Sequence, residues 1–238
     1  MTDRPLAHHL TPGTSDAPPI LFLPGYASDM QGTKALALEA WAKANGRTFL
    51  RFDYAGCGES PGAFEEQTLT GWRDDALAML DLLARPAVVV GSSMGGWIML
   101  LIARDDPDKV AAMVGVAPAP DFTGWGFSAA EKAALTDADR IERPSPYSDQ
   151  PTIFTRRFWR SSEESRVMDG PLAIDCPARL LHGMDDADVP WTLSPRIAGQ
   201  LRSADVQVTL IKDGDHRLSR DGDIAHLIRS VAEVSARL

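Results

Sequence analysis

Ser93 lies at the centre of the sequence Gly-Ser-Ser-Met-Gly (91–95), which has the Gly-x-Ser-x-Gly spacing of a nucleophilic serine on a sharp turn. An apolar run, 87–90, precedes it, and a helix-like apolar run, 96–103, follows it. A strand–turn–helix of this kind needs small flanking residues, because larger side chains would clash with the facing backbone. The helix N-terminus then directs unpaired N–H groups towards a developing anion. The alternative is that these small residues only connect a strand to a helix, but the flanking pattern favours catalysis.

A serine hydroxyl needs a general base to become a nucleophile, and the base needs a carboxylate to orient it. His216 follows the apolar run 206–211 and a glycine-containing loop, so we expect it at the carboxyl end of a late strand. His182 ends an earlier apolar run and is interpreted as a packed core histidine. The turn after that run offers three carboxylates, which composition alone does not rank: Asp185, Asp186 and Asp188.

Short apolar runs alternate with helical patterns along the chain, which is typical of βαβ units and a mostly parallel sheet with helices on both faces. The predicted strands are 20–23, 48–52, 87–90, 110–117, 178–182 and 206–211. The predicted helices are 34–45, 69–84, 96–103, 191–201 and 223–236. Residues 6–10 leave room for one more strand at the sheet edge. The sequence therefore predicts an α/β fold.

The segment 121–171 interrupts this alternation and is rich in proline, aromatic and charged residues without a strand pattern. We interpret it as a small helical cap, with helices over 128–136 and 151–160, inserted into a core formed by residues 1–120 and 172–238. Its aromatic side chains, Phe158 among them, either pack the cap onto the core or line an acyl slot. Its arginines either face water or form a cationic rim that attracts a carboxylate on the leaving group: Arg156, Arg157 and Arg160.

The net charge of −9 argues against a nucleic-acid-binding protein, which would need clustered Lys and Arg. The two cysteines do not make a disulfide scaffold, and no His-x-x-His or Cys-x-x-Cys spacing indicates a metal. We therefore expect neither a metal nor another cofactor. No apolar run reaches the length of a membrane span, and the N-terminus lacks a leader pattern. These observations predict a cytoplasmic monomer or homodimer without integral membrane association.

The motifs resemble the α/β-hydrolase superfamily over nearly the whole chain. Its serine hydrolases carry a Gly-x-x-Asp-x-x-Val-Pro turn, which residues 183–190 match with Asp186 at the acidic position. Residues 23–26 match the oxyanion loop, although Pro24 stands where a histidine is usual. The resemblance therefore selects Asp186 and assigns the backbone N–H groups of Tyr26 and Met94 to the oxyanion hole.

A closer resemblance is to the abhydrolase-domain palmitoyl-protein thioesterases, also described as acyl-glucuronide esterases. The segments that carry it are 22–26, 51–56, 91–97, 180–184, 189–191 and 215–217. It implies a cofactor-independent serine hydrolase that cleaves esters or thioesters of small molecules or acylated proteins. Trp97 and Trp191 belong to these segments, and either line the acyl pocket or anchor their helices.

Two alternatives to an esterase stay open at this point. One is a peptidase or amidase on the same fold, which no feature of the sequence demands. The other is a non-catalytic binding protein with a hydrolase fold, which would tolerate loss of the serine, the acid or the histidine. The presence of all three favours an enzyme.

Overall fold

The computed structural model of the protein describes residues 5–145 and 149–238. Residues 1–4, in the N-terminus for which no leader was expected, lie outside the described residues. So do residues 146–148 of the predicted cap. The strands of the main sheet are β1 (His8–Thr11), β2 (Ile20–Leu23), β3 (Phe49–Phe52), β4 (Ala87–Ser92), β5 (Val110–Val116), β8 (Ala178–Gly183) and β9 (Val206–Ile211). These seven strands lie in the order β1-β3-β2-β4-β5-β8-β9. Strand β1 pairs antiparallel with β3, and the other neighbours are parallel.

Helices cover both faces of this sheet. They are α1 (Thr33–Ala44), α2 (Leu69–Leu83), α3 (Met94–Asp105), α7 (Leu193–Gln200) and α8 (Asp221–Ser235). Along β2, Leu21 and Leu23 pack with α2 and α3, whereas Ile20 and Phe22 pack with α1 and α8. Because alternate side chains of a strand point to opposite faces, burial of both faces explains the continuous apolar runs of the sequence. The predicted α/β-hydrolase fold, with its mostly parallel sheet, is confirmed.

The described part of the segment between β5 and β8, the cap segment, contains helices and a small antiparallel sheet. Its elements are α4 (Phe122–Trp125), α5 (Ala129–Asp137), β6 (Arg140–Arg143), β7 (Thr152–Thr155) and α6 (Arg156–Glu164). The helix predicted over 128–136 is present as α5. The predictions of a cap without strands and of a helix from 151 are wrong, because residues 152–155 pair with 140–143. Helix α6 begins only after Thr155, whose hydroxyl accepts the N–H of Phe158.

Asp121 closes the cap segment at its base. Its carboxylate oxygens accept hydrogen bonds from the N–H groups of Val167 and Met168, at 2.9 Å each. Asp121 is 2% exposed, and burial raises its pKa. Its φ of 55° lies in the left-handed region, which aspartate tolerates better than most residues. The two stems of the segment are therefore joined by buried hydrogen bonds.

Candidate active site

Ser93 stands on the turn between β4 and α3. Its φ of 54° and ψ of −117° are a strained backbone conformation for a residue with a side chain. A Cβ added at Gly91 would meet the carbonyl of Gly95, and one added at Gly95 would meet the carbonyl of Leu23. The expectation that both positions must be small is confirmed. The turn leaves the half-buried Ser93 at the wall of a cavity.

His216 and Asp186 lie beside Ser93 in the folded chain. His216 Nε2 is 3.2 Å from Ser93 Oγ, and His216 Nδ1 is 2.8 Å from Asp186 Oδ2. Because a carboxylate only accepts hydrogen bonds, it favours a proton on Nδ1 and leaves Nε2 able to accept the proton of the serine. This arrangement has the geometry that a general base and its orienting acid require. The structure thus brings the three predicted catalytic side chains together.

The side chain of Asp186 is wholly buried. Its Oδ1 accepts the N–H groups of Asp188 and Val189, at 2.9 and 2.8 Å. Burial alone would raise the pKa of Asp186, but hydrogen bonds from His182 and His216 outweigh that effect and hold its pKa well below the usual value. Asp186 is therefore charged at neutral pH. Asp185 and Asp188, the other acids of this turn, are exposed.

His182 contacts Asp186, and the sequence analysis did not predict this contact. It is fully buried, as expected of a core histidine, but its Nε2 lies 3.2 Å from Asp186 Oδ2. The signal in the sequence was its position near the end of β8, four residues before the acid. The turn after β8 folds the carboxylate back over the end of its own strand.

The loop after β2 reaches Ser93 because β2 and β4 are neighbours, with Leu23 opposite Gly91. A Cβ added at Gly25 would lie 3.4 Å from the Cβ of Ser93. Met94 is the first residue of α3, and within the described chain no acceptor engages its N–H or that of Tyr26. Their assignment to the oxyanion hole stays a prediction. It does not depend on the side chain of Pro24, because the donors are backbone groups.

The side chain of Tyr26 packs against the cap segment. Its hydroxyl donates a hydrogen bond of 2.6 Å to the carbonyl of Ile153 in β7. Its ring stacks on Phe154 and contacts Phe158, with centroids 4.8 Å apart in each case. Burial, with a smaller effect from Cys57, raises the pKa of Tyr26 well above its usual value, so the phenol keeps its proton. The predicted oxyanion loop is thereby tied to the cap segment.

Ser93 and His216 line a cavity of about 800 Å³ between the strand ends and the cap segment. The cap segment contributes apolar side chains to its wall: Phe122, Trp125, Ile153 and Phe154. The wall also contains cationic side chains: Lys34, Arg143 and Arg217. Burial and the neighbouring Arg217 lower the pKa of Lys34 to about 8. The volume and mixed lining suit a small-molecule or acyl ligand.

The three residues predicted to bind substrate do not belong to the wall of this cavity. Trp97 is fully buried in α3, where its indole N–H donates to the carbonyl of Ser165 at 3.2 Å. Phe158 is buried against the rings of Tyr26 and Trp72. Trp191 is half-buried in the turn before α7. The contacts of Trp97 support the alternative in which it anchors its helix. Those of Phe158 support the alternative in which the aromatic residues pack the cap onto the core.

Arg156, Arg157 and Arg160 do not form a cationic rim, which was one of the two alternatives that the sequence left open. Arg156 donates to the carbonyls of Leu135 and Ala138, and Arg157 donates to the carbonyl of Glu66. Arg160 is exposed, and none of the three lines the cavity. Helix α6 directs them outwards because its buried face carries Phe158, Ser161 and Ser162.

Neither cysteine has the character of a nucleophile. Both are free, and burial raises the pKa of Cys57 to about 12 and that of Cys176 to about 11. Among the described residues, one group of possible metal ligands has atoms within 4.8 Å of one another: Asp186, Asp188 and His216. Two of these already bond each other through His216 Nδ1, so the group carries no metal assignment here.

Residues 20–227 match the model of the alpha/beta hydrolase family. The chain belongs to the alpha/beta hydrolase family. It is 40% identical over 227 residues to the palmitoyl-protein thioesterase ABHD10, mitochondrial, of Homo sapiens. The aligned region covers 93% of this chain and 74% of that protein. The structure of mouse alpha/beta hydrolase domain-containing protein 10 is 36% identical, with a TM-score of 0.90, covering 100% of this chain and 96% of that one. The structure of a protein from Agrobacterium vitis S4 is 40% identical, with a TM-score of 0.92, covering 99% of this chain and 95% of that one. The resemblance found in the sequence is confirmed.

The comparisons correct the expected location. The ABHD10 relatives from Homo sapiens, Pongo abelii, Bos taurus and Mus musculus are named as mitochondrial, which contradicts the expectation of a cytoplasmic protein. The lack of a leader pattern was a weak basis for that expectation. In the described residues, no helix has the length and apolar character needed to cross a membrane.

Proposed function

We propose that this member of the alpha/beta hydrolase family cleaves carboxylic esters or thioesters through an acyl-enzyme on Ser93. The observation that carries the proposal is the chain of contacts from Asp186 through His216 to Ser93, which ends at the cavity. The strained turn at Ser93 and the charged state of Asp186 support the same role. The similarity to a named thioesterase adds support from a separate direction.

In this mechanism, Ser93 Oγ attacks the acyl carbon while its proton passes to His216 Nε2. The N–H groups of Tyr26 and Met94 donate to the oxyanion of the tetrahedral intermediate. His216 then gives the proton to the departing oxygen or sulfur, which leaves an acyl group on Ser93. A water molecule, deprotonated by His216, attacks the same carbon, and the second intermediate collapses as His216 returns the proton to Ser93 Oγ, which releases the acid. Asp186 orients the imidazole and stabilises its charged form throughout.

For the substrate, we propose a small-molecule acyl ester or an acylated protein. Aromatic side chains of the cap segment line the cavity and offer an apolar surface for an acyl chain. The human relative is named a palmitoyl-protein thioesterase, and a long acyl chain is consistent with that apolar surface. If the leaving group is anionic, the cationic residues that face it are Lys34, Arg143 and Arg217, and none of them belongs to helix α6.

A fluorophosphonate probe tests the serine nucleophile directly, because it reacts with activated serines. We expect one label per chain, located at Ser93 by peptide mapping and absent in Ser93→Ala. A panel of acyl esters and thioesters with graded chain length then tests the substrate class. A parent protein that takes no label and hydrolyses no member of the panel would favour the non-catalytic binding protein.

The peptidase or amidase alternative is tested with matched substrates that differ only in the scissile bond. We expect hydrolysis of the ester and thioester and little hydrolysis of the corresponding amide, since no described feature of the cavity is specific for a peptide. Faster cleavage of the amide than of the ester would replace the proposed function with the alternative.

A further inference from the structure

We propose that His182 is a positioning residue that fixes the carboxylate of Asp186 for His216. The inference rests on the proposed function, because the position of Asp186 matters only if it orients a catalytic base. The sequence analysis interpreted His182 as a packed core histidine, and it is fully buried. Its contacts also join the acid, the turn that carries the acid, and helix α7.

The contacts of His182 are short and buried on every side. The imidazole and the side chain of Asp186 are both inaccessible to solvent. His182 Nδ1 lies 2.7 Å from the hydroxyl of Ser194, which is also fully buried. His182 Nε2 lies 3.2 Å from the carbonyl oxygen of Val189, with which it forms a hydrogen bond, and 3.2 Å from Asp186 Oδ2.

These neighbours determine which ring nitrogen of His182 carries the proton. Both atoms beside Nε2 are oxygens that only accept hydrogen bonds, so Nε2 must be the donor. In the neutral imidazole, the hydroxyl of Ser194 then donates to Nδ1. The opposite tautomer would place an unprotonated nitrogen against two buried acceptor oxygens, which leaves buried polar groups unsatisfied. The neutral Nε2–H form satisfies every polar atom in this group.

This arrangement holds Asp186 from two directions. Val189 donates its N–H to Asp186 Oδ1 while its carbonyl accepts from His182, so His182 secures the turn that supplies a donor to the acid. His182 Nε2 also shares Asp186 Oδ2 with His216. A donor on that oxygen draws charge away from it. His182 therefore sets both the place of the carboxylate and the share of its charge that acts on His216.

Two amide variants separate positioning from packing, because they present the amide at different distances from the backbone. His182→Asn places its amide near the position of Nδ1, where it still meets Ser194, and has nothing at the position of Nε2. His182→Gln reaches the position of Nε2 with an N–H group. The measurements are kcat and KM for one ester, their pH dependence, and thermal unfolding of each variant.

We expect His182→Asn to lower kcat about tenfold, the rate equivalent of one lost hydrogen bond to a charged group, with KM changed less than about twofold. The acid limb of its pH–rate profile should move to higher pH, because Asp186 with one donor fewer stabilises the protonated imidazole of His216 more strongly. His182→Gln should restore the parental acid limb and most of the lost rate. The other charged groups near His216 are the same in all three proteins: Lys34, Asp188, Asp215 and Arg217.

An acid limb and kcat of His182→Asn equal to those of the parent would overturn the inference. Equal losses in both variants without a shift of the acid limb would also overturn it, since they would indicate packing alone. If His182→Asn does not fold, ¹⁵N shifts of labelled histidine in the parent protein decide the matter, and an unprotonated Nε2 at His182 rejects the proposal. Failure of the parent to take the fluorophosphonate label would instead count against the proposed function.

Discussion

The backbone of Ser93 is strained, and glycines at 91 and 95 make that strain tolerable because the turn leaves no room for a Cβ on either side. The same turn directs the start of α3 and the hydroxyl of Ser93 towards the cavity. His216 lies in hydrogen-bonding distance only because its own loop follows β9, at the same end of the sheet. In the proposed mechanism, the reactivity of Ser93 depends on a base that Asp186 holds in this place.

Ser93→Ala is expected to remove nearly all ester hydrolysis, because no other described side chain takes the place of the nucleophile. The remaining rate should be at most on the order of 10³-fold above the uncatalysed reaction, from oxyanion stabilisation and binding. Steady-state kinetics on a neutral ester measure this loss, and thermal unfolding verifies that the variant is folded. Turnover near that of the parent would contradict the role of Ser93.

Activity should also fall as the solution is acidified. A protonated His216 cannot accept the proton of Ser93, whereas Asp186 stays charged because its hydrogen bonds hold its pKa below the usual value. The loss therefore reports on His216 rather than on the acid. The measurement is kcat/KM for a neutral ester between neutral pH and about pH 5, and a flat profile over that range is the contradicting result.

At this scale, the sequence predicted the residues whose spacing is constrained by chemistry. Ser93 and His216 could be found because each follows an apolar strand, and Asp186 because it stands in a family motif. Trp97 and Phe158 could not be placed, since an aromatic residue on a helix has the same pattern whether it faces a core or a ligand. His182 was assigned to the core correctly, but its contact with Asp186 depends on how the following turn folds.

At the scale of elements, Tyr26 is the main link between the loop after β2 and the cap segment. Its hydroxyl bonds the backbone of β7, and its ring is surrounded by aromatic side chains from α6 and β7. The strands of the cap segment were missed in the sequence because they are short and, unlike β2, contain no continuous apolar run: β6 is Arg-Ile-Glu-Arg and β7 is Thr-Ile-Phe-Thr. Their pairing depends on contacts such as this one, which lie far away in the chain.

Tyr26→Phe is expected to lower the free energy of unfolding by about 1 kcal/mol, because it removes one partly buried hydrogen bond to the carbonyl of Ile153. The matched control is Tyr54→Phe, which removes a buried hydroxyl that has no hydrogen-bond partner among the described residues. Urea unfolding of the two variants gives the comparison. A Tyr54→Phe variant that is destabilised as much as Tyr26→Phe would argue against a specific link.

At the scale of the whole molecule, the proposed site is assembled from the loops that follow β4, β8 and β9, which are parallel strands that end at the same edge of the sheet. The acid follows β8 and the base follows β9, so the contact between these two strands decides whether they meet. Arg179 of β8, which is 3% exposed, reinforces that contact at the opposite end. Its guanidinium pairs with Asp205 before β9 at 2.9 Å and with Glu233 of α8 at 3.2 Å.

Arg179→Met should destabilise the protein as a whole while leaving the residues of the site in place. We expect a loss smaller than the roughly 3–5 kcal/mol of a wholly buried pair, because both carboxylates are partly exposed and regain water. Arg202→Met is the control, since its pair with Asp175 is exposed and should contribute less to stability than the pairs of Arg179. Urea unfolding measures both, and equal effects would refute the special role of Arg179.

The buried hydrogen bonds that Asp121 accepts from Val167 and Met168 bear on how far the cap segment can vary in length and sequence. Because the two ends of the cap segment are joined at one point, we expect a change of length in the exposed part between them to leave the strands of the main sheet in place. The residues that contact Tyr26 are the part whose replacement would reach the proposed site. A chimera that carries a different segment between Asp121 and Val167 should retain the hydrogen bonds that join the two ends.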